Sequence, residues 1–130
     1  MTILVWLLAA MAGALLAFQL AVWWRSRQSQ GRVAPDTHAV DGKAAHAPLR
    51  VYYFYAEHCG ACRATTMLVG QLRAEHPHLI ALDIHEVPEL ARAFGVVATP
   101  SFYQVIDGVI RRVRIGGVNA SQLRALLAND

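Results

Sequence analysis

From Thr2 to Trp24 the chain carries no charged residue and only one strongly polar one, Gln19. As a helix, at about 1.5 Å per residue, this run is long enough to cross a hydrocarbon core of roughly 30 Å. Trp23 and Trp24, followed by Arg25 and Arg27, supply an aromatic interfacial anchor and a charged stop. A cleaved leader would place basic residues ahead of a shorter apolar core. This run has neither, and it continues past the alanine-rich positions where cleavage would fall. Residues 1–25 are therefore expected to form one retained transmembrane helix.

Residues 26–48 differ in kind. They are rich in Gln, Ser, Gly, Asp, His and Ala, contain Pro35 and Pro48, and show no apolar periodicity, so they read as a flexible tether. Residues 49–130 must carry the fold, as one small domain with a single core and little to spare. The net charge of +3 arises mostly before that domain, from Arg25, Arg27, Arg32 and Lys43 against Asp36 and Asp41. A basic juxtamembrane stretch suits an anionic lipid surface. No basic stripe or known motif marks nucleic-acid binding. The flank before the apolar run has no Lys or Arg, whereas Arg25, Arg27 and Arg32 follow it. The positive-inside rule then favours the cytoplasmic over the periplasmic side of a bacterial-type inner membrane, in a single-pass arrangement.

Within the domain, Leu49 to Tyr55 is β-branched and aromatic and predicts a buried central strand. Gly60 to His76 predicts a helix, with Ala61, Ala64, Leu68 and Leu72 as its apolar stripe and Met67 alongside. His76-Pro77 ends it. Leu79 to Ile84 predicts a second strand, parallel to the first because a helix intervenes. Pro88 to Phe94 predicts a short helix begun by proline and ended by Gly95. Ser101 to Ile106 and Val109 to Ile115 predict a hairpin turning at Asp107-Gly108. Asn119 and Gln122 form the reciprocal cap of a last helix that turns Leu123, Leu126 and Leu127 inward. The order is β-α-β-α-β-β-α: an α/β fold with a mixed four-stranded sheet and helices on both faces.

The only two cysteines, Cys59 and Cys62, fall between the first strand and the first helix of the domain. If Cys59 opens that helix, Cys62 lies one turn on along the same face. The two Cα atoms are then roughly 5–6 Å apart, within disulfide range. The helix N-terminus favours negative charge and lowers the Cys59 pKa. One thiolate that attacks and one neighbour that resolves are what thiol–disulfide exchange requires.

The domain resembles the thioredoxin family. Phe54-Tyr55-Ala56-Glu57-His58-Cys59-Gly60-Ala61-Cys62-Arg63 is similar to that family's F-W-A-E-W-C-G-P-C-K, and Phe94 to Phe102 is similar to its Y-G-I-R-G-I-P-T-L stretch. Asp107-Gly108 and Gly116 fall where the family has its hairpin turn and the end of its last strand. The resemblance implies a reduced version of the fold, with the tether in place of the usual first strand and helix. It implies catalysis by Cys59 and Cys62, a substrate groove beside Thr99 and Pro100, and no bound cofactor. The partners implied are protein or small-molecule disulfides and thiols, with a further redox protein. Read locally, the Thr99–Pro100 bond would be trans; the resemblance implies cis.

Departures from the family pattern bear on redox tuning. Tyr53 stands where the family has a buried aspartate, and Ala81 where a lysine often pairs with it. Water, Glu57 or His58 would then take the proton of the resolving cysteine. His58 replaces the usual tryptophan, and Ala61 the proline between the cysteines, which frees the turn that begins at Gly60. His58 has two readings: an imidazolium that stabilises the Cys59 thiolate, or a solvated surface group. Two other functions compete with the redox enzyme. One is a metal-handling module for Cu(I) or Zn through His58, Cys59 and Cys62, which lacks the fourth ligand of a closed zinc site. The other is a scaffold whose cysteine pair is incidental. The remaining histidines match no metal template, and Arg112 and Arg114 share one face of a solvated edge strand.

Overall fold

A computed structural model describes residues 1–129 of the chain. Five helices and four strands follow in order. They are α1 (Thr2–Gln28), α2 (His38–Asp41), β1 (Leu49–Tyr55), α3 (Cys62–Arg73), β2 (Leu79–Asp83), α4 (Pro88–Phe94), β3 (Ser101–Ile106), β4 (Val109–Ile115) and α5 (Ala120–Ala128). A single 3₁₀ turn, Gly42–Ala44, follows α2. The sheet order is β2-β1-β3-β4. β1 runs parallel to β2 and antiparallel to β3, and β4 is antiparallel to β3. The helix between β1 and β2 forces the parallel pairing, and the Asp107-Gly108 turn the antiparallel one. Asp107 and Gly108 both take positive φ, 50° and 76°, as a tight hairpin of this hand demands.

Side chains alternate across β1, so its run of large residues feeds two cores. Tyr52 and Phe54 enter one core with Ile80, Leu82, Tyr103, Val105 and Ile110, closed by Ala91 and Phe94 of α4. Val51 and Tyr53 enter the other with Leu79 and Phe102, closed by α3 and α5. α5 carries the expected reciprocal cap between Asn119 and Gln122.

Two expectations are corrected. The first concerns α3, which begins at Cys62 and not at Gly60. Its inward face is Cys62, Thr65, Val69 and Leu72; Ala61, Ala64 and Met67 are exposed, and Leu68 is half-buried. Val69 and Leu72 pack into the core with Tyr53, Leu79 and Phe102, and counting back along that face by about 3.6 residues per turn brings Thr65 and Cys62 inward.

The second concerns the segment expected to be a flexible tether. Residues 29–47 lie packed on the domain. Ser29 is 1% exposed, and its hydroxyl donates to the Phe94 carbonyl at 2.9 Å. Gly31 N–H donates to Ile110 O, Ile110 N–H to Arg32 O, and Ala34 N–H to Gly108 O, which adds a short antiparallel cover to the edge of β4. Asp41 is 5% exposed and takes an ion pair from Arg50, a hydrogen bond from Tyr52 Oη at 2.5 Å and one from Thr37 Oγ1 at 2.7 Å. Ala44 completes the core beneath α4. Polar side chains fasten this segment, which is why it shows no apolar period. α2 and the 3₁₀ turn thus occupy the place left for an N-terminal helix.

Candidate active site

Cys59 and Cys62 form a disulfide across the turn between β1 and α3, with their Cα atoms 5.2 Å apart. The turn is held by its own backbone. Cys59 N–H donates to Ala56 O at 3.2 Å, and Cys62 N–H to Cys59 O at 3.1 Å. Cys59 therefore stands three residues ahead of the helix rather than inside it. Arg63 N–H likewise donates to Gly60 O at 3.4 Å, so the carbonyls of the turn take the first N–H groups of the helix, and the pair sits at its positive end.

The two sulfurs have unequal surroundings. Cys62 is 2% exposed, whereas Cys59 is half-buried at the surface. Cys59 Sγ lies 3.7 Å from the carbonyl oxygen of Thr99. The Thr99–Pro100 bond is cis, as the resemblance implied. Gly116 N–H donates to Pro100 O at 2.8 Å, which ties this loop to the end of β4. The sequence-predicted Cys59, Cys62, Thr99 and Pro100 are thus brought together at one end of the sheet. A cavity of about 550 Å³ beside the pair is lined by Tyr55, Glu57, His58, Gly60, Arg63 and Met67, among others. Glu57, His58, Gly60 and Ala61 are all exposed on its rim or next to it.

Among the described residues, no group of three His, Cys, Asp or Glu comes together as a metal site. His76 and His78 are half-buried: their rings meet edge to face, and the His78 ring reaches the Leu127 carbonyl at 3.1 Å.

Beneath Cys62 lies a feature that the residue pattern indicated only in part. Tyr53 is fully buried, and its hydroxyl donates to the Cys62 carbonyl at 3.4 Å and shares a hydrogen bond with Thr66 Oγ1 at 2.8 Å. Burial pushes the Tyr53 pKa up, with the Thr66 hydrogen bond opposing it. The group is therefore a neutral hydroxyl near pH 7. The available signal was Thr66 at four residues beyond Cys62, on the same helix face.

A family model described as Thioredoxin matches residues 37–129, more than half of the chain. The chain belongs to the thioredoxin family. The match begins inside the segment first read as tether, in agreement with the packing of α2. The chain is 30% identical over 100 residues to the Thioredoxin H-type of Chlamydomonas reinhardtii, covering 75% of this chain and 87% of that one. It is 32% identical over 77 residues to Thioredoxin-2 of Pyricularia oryzae, covering 58% of this chain and 44% of that protein's length. Among solved structures, Fasciola hepatica thioredoxin aligns with a TM-score of 0.56 at 26% identity, over 79% of this chain and 85% of that one. Family, fold and a paired C-x-x-C agree: Cys59–Cys62 is a thioredoxin-type thiol–disulfide redox centre.

Proposed function

We propose that this protein is a membrane-anchored protein disulfide reductase or electron relay. Cys59 is the nucleophile and Cys62 the resolving thiol, and Thr99 and Pro100 form the substrate groove. The observation that carries the assignment of roles is the inequality of the sulfurs: Cys59 is open and faces the groove, and Cys62 is sealed. The Cys59 thiolate attacks a substrate disulfide R–S–S–R′. A Cys59–R mixed disulfide forms and R′–S⁻ leaves, taking a proton from water. The Cys62 thiolate then attacks Cys59 Sγ, closes Cys59–Cys62 and expels R–S⁻. Two electrons pass to the substrate, and a donor thiol or redox protein must reduce the pair again. Water, Glu57 or His58 takes the Cys62 proton before that second attack, and Gly60 and Ala61 shape the turn that carries the pair.

The anchor is supported by α1 itself. Thr2–Arg25 is long and apolar enough to span a bilayer. It leaves Ile3, Leu4, Trp6, Leu7, Leu15 and Phe18 each more than half exposed. A patch of that size is incompatible with water unless lipid or another protein covers it. Arg25 and Arg27 favour the cytoplasmic side of a bacterial-type inner membrane for the domain; reporter fusions at the C-terminus test that orientation.

The roles are tested with a disulfide substrate and a dithiol reductant. Cys59→Ser is expected to lower turnover by about 10³-fold or more, and Cys62→Ser to accumulate a covalent complex through Cys59, seen on a non-reducing gel. Turnover retained in Cys59→Ser overturns the assignment.

A further inference from the structure

The anchor helix and the redox pair lie toward the same end of the domain. Residues 31–34 pair antiparallel with residues 110–108 at the edge of β4, so the chain descends β4 as its numbering rises. Followed backwards, it ascends. The last turns of α1 lie along β4, where Gln19, Val22, Trp23 and Arg27 line one cavity with Arg112, Arg114 and Ile115. From Arg27 to Gln19 the helix climbs about 12 Å at 1.5 Å per residue. From Arg112 to Ile115 the strand climbs about 10 Å. Gln19 is therefore near the level of Ile115. Ile115 pairs with Ser101, and Ser101 with Phe54, one residue before the strand end that leads into Cys59. The apolar part of α1 that precedes Gln19, roughly 25 Å of helix, projects beyond that same end of the sheet.

There is almost no slack between helix and domain. α1 ends at Gln28, and Ser29 is already buried with its hydroxyl on Phe94. The Asp107-Gly108 hairpin and Pro48, joined by the Asp107 N–H to Pro48 O bond, lie at the opposite end of the sheet. Arg27, Arg112 and Arg114 converge where α1 reaches the domain, and the Arg27 guanidinium stacks 4.3 Å from the Trp23 ring centre. This aromatic and arginine cluster stands beside β4, outside the bilayer, and leaves Thr2 to Phe18 as the apolar stretch that crosses it.

We infer that the Cys59 groove faces the bilayer surface, and that its partner is a disulfide or thiol pair carried at that surface by another integral membrane protein. The inference rests on α1 being a membrane anchor and deepens that reading. A rigid attachment of this kind presents Cys59 to groups lying in the headgroup plane and turns it away from disulfides arriving from solution.

The full chain in phosphatidylcholine–phosphatidylglycerol vesicles tests the geometry. Nitroxide labels are placed at Met67→Cys, beside the redox pair, and at His46→Cys, near the Pro48 end, each with Cys59→Ser and Cys62→Ser. A nickel-chelating lipid reports proximity to the membrane. The Met67→Cys label is expected to relax several-fold more strongly than the His46→Cys label; equal or reversed relaxation overturns the inference while leaving the anchor intact. Failure of the chain to float with the vesicles overturns the anchor and the inference together. A second arm uses the wild-type pair with a phospholipid-linked pyridyl disulfide and its water-soluble counterpart. A flexible Gly/Ser segment inserted between Gln28 and Ser29 is expected to reduce the preference for the lipid-linked substrate by about tenfold. An unchanged preference, or none in the wild type, overturns the assignment of the partner.

Discussion

Asp41 is the buried charge at the centre of the polar contacts that fasten the segment before β1. It takes an ion pair from Arg50 and hydrogen bonds from Tyr52 and Thr37, at 5% exposure. Removing one partner of a buried ion pair strands the other charge. Asp41→Asn is expected to cost about 3 kcal/mol, within the range for such breaks, read from the urea midpoint of the wild type and variant. A flexible segment would give no shift. Tyr103 presents the opposite case. It is fully buried, and its hydroxyl has no hydrogen-bond partner among the described residues. An unpaired buried hydroxyl is a cost to the fold, so Tyr103→Phe is expected to raise stability by about 1 kcal/mol, seen as a higher melting temperature. The cysteine pair was legible from its spacing, whereas Pro100 was legible only through the resemblance to the thioredoxin family. The Tyr53–Thr66 hydroxyl pair was not, because a tyrosine in an aromatic run reads as packing until its Oη partner is known.

At the scale of elements, strands were easier to read than helix faces. β1, β3 and β4 announce themselves by β-branched and aromatic runs, and Asp107-Gly108 sets the hairpin. For α3, two apolar stripes one residue apart compete, 61/64/68/72 and 62/65/69/72, and both end on Leu72. Hydrophobicity favours the first, with its two alanines, over one containing Thr65. The fold takes the second, with Cys62, Thr65, Val69 and Leu72 against the sheet. The end of α4 shows how the segment before β1 is fastened. Gly95 takes φ 81° at the helix C-cap, and a Cβ there would meet Ser29 Oγ at 2.7 Å. Gly95→Ala therefore combines a left-handed backbone penalty with a clash, and is expected to destabilise by about 1–2 kcal/mol. Adding Ser29→Ala removes the clash alone, so chemical denaturation of the double variant is expected to show partial recovery. Full additivity of the two losses is the result that contradicts this contact.

Taken whole, the domain buries tyrosine on both faces of one sheet, and this sets its response to alkali. Burial pushes Tyr103 up to about 12 from its ordinary 10.0, and it raises Tyr52 and Tyr53 as well. In each case the folded state holds the proton longer than the unfolded chain does. The unfolded state binds fewer protons above pH 10, so this contribution is complete below that value and declines as pH rises toward 12. Unfolding free energy is expected to fall by about 1.4 kcal/mol per pH unit for Tyr103 in this window, with Tyr52 and Tyr53 acting in the same direction. Urea titrations between pH 8 and 12 measure it, and a flat profile contradicts it. The unequal exposure of the two sulfurs has a kinetic corollary. With Cys62 sealed, donor and acceptor must use the same sulfur in turn and can never be bound to the pair together. Under the proposed roles turnover is expected to be ping-pong, with parallel lines in double-reciprocal plots, and a surplus of either partner to compete with the other for a single doorway.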